Sequence, residues 1–138
     1  MENRSELKFV ELRKMVGTLN ESVDLVLNNT ETKLDRALRD SVIQRFEYSI
    51  EGIWKFLKYY LLENIWEEVE FSKEVLKKAY KAKLIDDLSL YIEMINKRNR
   101  LSHDYHEDFA IISFDIILEE YIEEINNFIN KFSVKYDK

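Results

Sequence analysis

Both histidines of the chain lie in one short segment, Lys97-Arg98-Asn99-Arg100-Leu101-Ser102-His103-Asp104-Tyr105-His106. Three chemistries compete there. A metal site would draw on His103, Asp104, His106 and Glu107 or Asp108, yet two histidines in one segment make a thin donor set for zinc. A bland reading is a polar helix end, with a histidine that favours the helix C-terminus when protonated. The third is metal-free acid–base work. Imidazole exchanges protons near neutral pH, and a guanidinium holds a phosphate and offsets developing negative charge. An RNA phosphodiester carries its own nucleophile, the 2′-OH, so such a site needs no metal, serine or cysteine.

Helical spacing constrains how these residues meet. Leu88, Tyr91 and Ile95 step by three and four, and the same stripe continues onto Arg98 and Ser102. An always-charged group on an apolar stripe is costly unless it is paired, or faces a cleft or a subunit interface; the alternative is a side chain that snorkels past the end of a bundle. His103 follows Arg98 by five residues, about 140° around an unbroken helix. Asn99 and His103, four apart, would share a face. Arg98 and His103 converge if the helix ends near Ser102, or if a second copy brings its own pair across a two-fold axis.

Five helical segments are expected to position this segment. The first spans about 5–26, with the stripe Leu12, Val16, Leu19, Val23 and Val26, and Asn28-Asn29-Thr30 breaks it. The second spans about 32–63 through Leu34, Leu38, Val42, Phe46, Ile50, Ile53, Leu57 and Leu61, widened by Trp54, Phe56, Tyr59 and Tyr60. The third, about 72–84, has Ser72 as a candidate N-cap and carries five lysines against one glutamate. The fourth starts at a capping Asp86 or Asp87 and runs to about Ser102. The fifth spans about 108–132, with Ile111, Phe114, Leu118, Tyr121, Ile125, Phe128 and Phe132 as a heptad-like seam and an acidic opposite face. The expected architecture is all-α, a five-helix up-and-down bundle forming one domain over 1–138.

Composition agrees. The 138 residues include no Cys, no Pro and only two Gly, which excludes disulfides, thiolate chemistry and Gly-rich phosphate loops and argues against a turn-rich β protein. The net charge of −6 argues against a generic nucleic-acid coat or a membrane-surface binder. No apolar run is long enough for a bilayer, and the first fourteen residues lack an apolar h-region, so a cytoplasmic location is the expectation. Lys97, Arg98 and Arg100, with the lysines of 73–83, form the cationic counterpart to the acidic fifth helix, and Lys97 and Arg100 are RNA-contact candidates.

The stretch Arg98-Asn99-Arg100-Leu101-Ser102-His103-Asp104-Tyr105 resembles the R-N-x3-H-x-Y form of the HEPN-domain motif. A second block, Gln44-Arg45-Phe46-Glu47-Tyr48 and Glu51-x-x-Trp54-Lys55-x-Leu57, resembles the small proteins labelled nucleotidyltransferase substrate-binding, which are similar to HepT toxins. The resemblance implies a HEPN-like bundle that forms a homodimer with Arg-x4-His from each subunit in one cleft. It implies a metal-independent endoribonuclease toxin with no cofactor, in which Arg98 and His103 are catalytic and Asn99 and Ser102 are accessory. It also implies a minimal nucleotidyltransferase (MNT) antitoxin that adds AMP to Tyr105. The alternative within the family is a non-catalytic subunit that presents a substrate to a nucleotidyltransferase. A purely structural helical adaptor is the reading outside it.

Overall fold

The computed structural model describes residues 3–103 and 106–136, and every regular element among them is helical. The helices are α1 (Arg4–Asn28), α2 (Asp35–Ile65), α3 (Ser72–Lys81), α4 (Leu88–His103), α5 (Glu107–Ile116) and α6 (Ile122–Tyr136). A π-helical turn, Ile117–Tyr121, joins α5 to α6 into one rod, so the bundle has five rods.

Helix α1 starts where Asn3 accepts from the Glu6 N–H at 2.9 Å. The next free donors are met by a carboxylate from the far end of α2. Glu63 accepts from the backbone N–H of Arg4 at 2.8 Å and of Ser5 at 3.1 Å, and from the Ser5 hydroxyl. An anion on the first turn satisfies orphan N–H groups and the helix dipole together. Further along, Gly52 lets α1 and α2 close on each other; a Cβ there would stand 3.0 Å from Leu12 Cδ1.

The core is one contiguous cluster. The α1 stripe Leu12, Val16, Leu19 and Val23 is buried, as its spacing predicts. Around Phe56 lie the rings of Phe9, Tyr60, Phe128, Phe132 and Tyr136, with centroids 5.0–6.1 Å away. Such pairs add about 0.5–1.5 kcal/mol each beyond area burial.

Three local expectations are corrected. The segment Thr32–Leu34 forms a 3-10 turn rather than the start of α2, which leaves Leu34 exposed and Leu38 half-buried. Ser72 is the first residue of α3; the cap position is Phe71, which makes no side-chain capping bond. In the fifth rod the expected seam holds from Tyr121 through Ile125, Phe128 and Phe132, but before it the buried residues are Ala110, Ser113 and Ile117 in place of Ile111, Phe114 and Leu118. The π turn is the reason. Its wider turn takes one extra residue, so three successive steps of four, 113–117–121–125, stay on one face.

Candidate active site

Helix α4 carries the candidate residues, and Asp87 sets its start by accepting from the Leu90 N–H at 3.1 Å. Tyr91, Met94, Ile95 and Leu101 bury its inner face. The helix runs unbroken through His103, so Arg98 and His103 leave its axis about 140° apart. Within one protomer the pair therefore does not converge.

Arg98 is paired, not snorkelling. Its guanidinium lies 3.3 Å from Glu51 Oε2 on α2, and its Nη1 donates to Asn99 Oδ1 at 3.2 Å. The side chain is 28% exposed, and its buried Nε–H has no acceptor among the described residues. One turn further, the Ser102 hydroxyl donates to Glu47 Oε2 at 2.6 Å. Glu47 and Glu51 are four apart on α2, and Arg98 and Ser102 are four apart on α4. Antiparallel packing thus matches two polar positions to two carboxylates.

Glu51 is the most heavily used of these groups. The Trp54 indole N–H donates to Oε2 at 3.0 Å, and Lys55 Nζ lies 3.3 Å from Oε1. Burial pushes its carboxyl upward, but the Trp54 bond, the Arg98 charge and Lys55 outweigh it and hold its pKa below the ordinary value.

The other expected residues are dispersed around this pair. His103 is exposed at the last position of α4 and makes no hydrogen bond to the described residues. Lys97 and Arg100 flank the Phe109 ring of α5, with Nζ 5.5 Å and the guanidinium carbon 3.8 Å from its centroid. Tyr105 and Asp104 lie outside the described residues. No cluster of three metal-ligating side chains occurs among the described residues. The lysine-rich α3 belongs to the other end of α4. Lys131 of α6 donates to the carbonyls of Lys83 and Leu84 just before that helix starts, and ten residues of α4, about 15 Å, separate Leu88 from Arg98.

Glu47 and Glu51 are not among the residues that the sequence singles out for chemistry, although both stand in the second resembling block. The available signal is the shared spacing: a carboxylate pair four apart on the helix that faces Arg98 and Ser102. Phe109 gives no signal beyond being aromatic.

Comparison with known proteins bears on the fold and the family. The chain is similar to a protein of Thermus thermophilus, at 30% identity and a TM-score of 0.73, over 87% of this chain and 97% of that one. A tri-AMPylated Shewanella oneidensis HEPN toxin, solved in complex with MNT antitoxin, superposes at 17% identity with a TM-score of 0.73, over 94% of this chain and 96% of that one. A toxin–antitoxin solved with AMP-PNP superposes at 17% identity with a TM-score of 0.72, over 94% and 98%. Both superpositions show that this chain shares the helical fold of those proteins. No curated protein matches the sequence. The model of the "Nucleotidyltransferase substrate binding protein like" family matches residues 7–134, and the chain belongs to that family.

Proposed function

We propose that the protein is the toxin of a HEPN/MNT pair, a metal-independent endoribonuclease whose site forms where two copies meet. The observation that carries this reading is Arg98. Its guanidinium is anchored on one side by Glu51 and keeps a buried Nε–H without an acceptor among the described residues, five residues before an exposed histidine. The part of that guanidinium left exposed offers a permanent positive charge to an incoming phosphate.

In the reaction, the 2′-oxygen attacks phosphorus as a His103 imidazole takes its proton. The bond from phosphorus to the 5′-oxygen breaks, and that oxygen receives a proton from an imidazolium. Arg98 holds the phosphate and offsets the charge that builds on its oxygens. In this reading the pair is completed across a two-fold axis, where Arg98 of one copy meets His103 of the other, and that imidazole, once protonated, serves as the acid. The products are a 2′,3′-cyclic or 3′-phosphate and a 5′-hydroxyl. Asn99, which holds Arg98, and Ser102, held by Glu47, are accessory positions.

The test is RNA incubated with purified protein in EDTA. Cleavage that Arg98→Ala or His103→Ala lowers at least a hundredfold supports the reading; no cleavage by the wild type rejects it. The partner in this reading is a minimal nucleotidyltransferase, as in the Shewanella complex, and the modified residue is Tyr105. Coexpression with such a partner should add AMP-sized mass increments to the wild type and remove at least one from Tyr105→Phe.

A second reading is favoured by the family description: a non-catalytic subunit presenting substrate to a nucleotidyltransferase. A stable complex with the partner, together with no RNA cleavage and no growth defect on expression, would favour it.

A further inference from the structure

Glu51 faces two ways. One carboxylate oxygen meets Arg98, and the other meets Lys55 at the rim of a groove between α1 and α2. That groove encloses about 140 Å3. Its floor is apolar, made by Leu12, Met15 and Gly52. Tyr48 forms a wall and is 53% exposed. Its hydroxyl accepts from the Gln44 amide at 3.0 Å, which fixes the ring against α2.

The charges of the groove are matched in pairs. Lys8 lies 3.4 Å from Glu11, and Lys55 lies 3.3 Å from Glu51. Such a groove offers no net charge to a phosphate. It offers a fixed aromatic face, a polarisable Met15 sulfur and two carboxylates that only accept hydrogen bonds. A neutral, planar ring with amino groups on its edge is the complementary ligand. The guanidinium suited to a phosphate meets the other oxygen of the Glu51 carboxylate that lines this groove.

We infer that the α1–α2 groove is a base subsite: a single-stranded nucleotide beside the phosphate at Arg98 stacks its base on Tyr48 and turns an exocyclic amino group toward Glu11 and Glu51. The inference rests on the nuclease reading and assigns it a preference, adenine or cytosine over uracil at that position. Base stacking on an aromatic side chain is sequence-tolerant, so the carboxylates carry the discrimination and Tyr48 carries the affinity.

The test uses short, fluorescein-labelled, 2′-O-methyl single strands of uniform A, C or U, which lack the attacking hydroxyl and survive the wild-type protein. Anisotropy titrations should rank A and C above U. Tyr48→Ala should weaken A and C binding about tenfold, within the range of one stacked base, and Tyr48→Phe should keep it. Glu11→Gln should narrow the gap between A and U. Circular dichroism of each variant checks that the bundle is intact. Equal affinity for the three strands, or wild-type binding by Tyr48→Ala, overturns the subsite while leaving the nuclease reading standing. No binding of any strand by the wild type overturns both.

Discussion

At Arg98 the chain places a permanent charge where its helix otherwise buries tyrosine and isoleucine. Glu51 offsets that charge, and the pair is partly solvated, so its worth is modest, about 1 kcal/mol or less. The sign of its pH dependence follows from Glu51. Its folded pKa lies below the ordinary 4.5, so the contribution is full above that value and is lost as pH falls through the folded pKa. Urea unfolding of Glu51→Gln should therefore show a deficit of up to about 1 kcal/mol near neutral pH that closes in acid below pH 4.5. A constant deficit across that window would separate the residue's role from its charge. Glu51→Gln should also loosen Arg98 and lower RNA cleavage, whereas Lys73→Ala, at the far end of α4, should leave cleavage unchanged.

At the scale of elements, the π turn is the device that keeps α5 and α6 on one face. Deleting exposed Glu119 inside it should restore plain α-helical turns with both halves still in phase, and thermal unfolding should shift by only a few degrees. Deleting Asn127, past the turn, rotates Phe128 and Phe132 by about 100° off the core and should abolish cooperative unfolding. Close packing of α1 on α2 is equally testable. Gly52→Leu must displace Leu12 and should cost about 1–3 kcal/mol in a denaturant titration. The stripes of α1 and of most of α2 are legible in the sequence because regular three- and four-residue steps report a straight helix. The phase of Ala110, Ser113 and Ile117 is not, because a π turn inserts one residue without any marker such as Gly or Pro. At the site, Arg98 stands out as a charge on an apolar stripe, but its partner Glu51 lies on another helix, and spacing within α4 cannot report a neighbour from α2.

At the scale of the whole molecule, the excess of acid and the proposed polyanionic ligand are reconciled by placement. Glu119, Glu120 and Glu123 are set along the π turn and α6, while Lys97, Arg98 and Arg100 gather at the C-terminal end of α4. Few cations serve the ligand, so affinity for RNA should fall with salt along a shallow slope, about one to three phosphate contacts' worth. Assembly is the other molecular property. One protomer turns Arg98 and His103 apart, so the proposed nuclease site calls for a homodimer: sedimentation should then give twice the chain mass, with a melting temperature that rises with protein concentration.

Complementation between two inactive chains tests the shared site most directly. Arg98→Ala and His103→Ala protomers, coexpressed with different tags and purified as the mixed dimer, bring an intact arginine and an intact histidine from opposite chains. RNA cleavage in EDTA should return in the mixed dimer, toward half the wild-type rate, while each variant alone stays inactive. A mixed dimer as inactive as its parents, beside an active wild type, would contradict a site built across two copies.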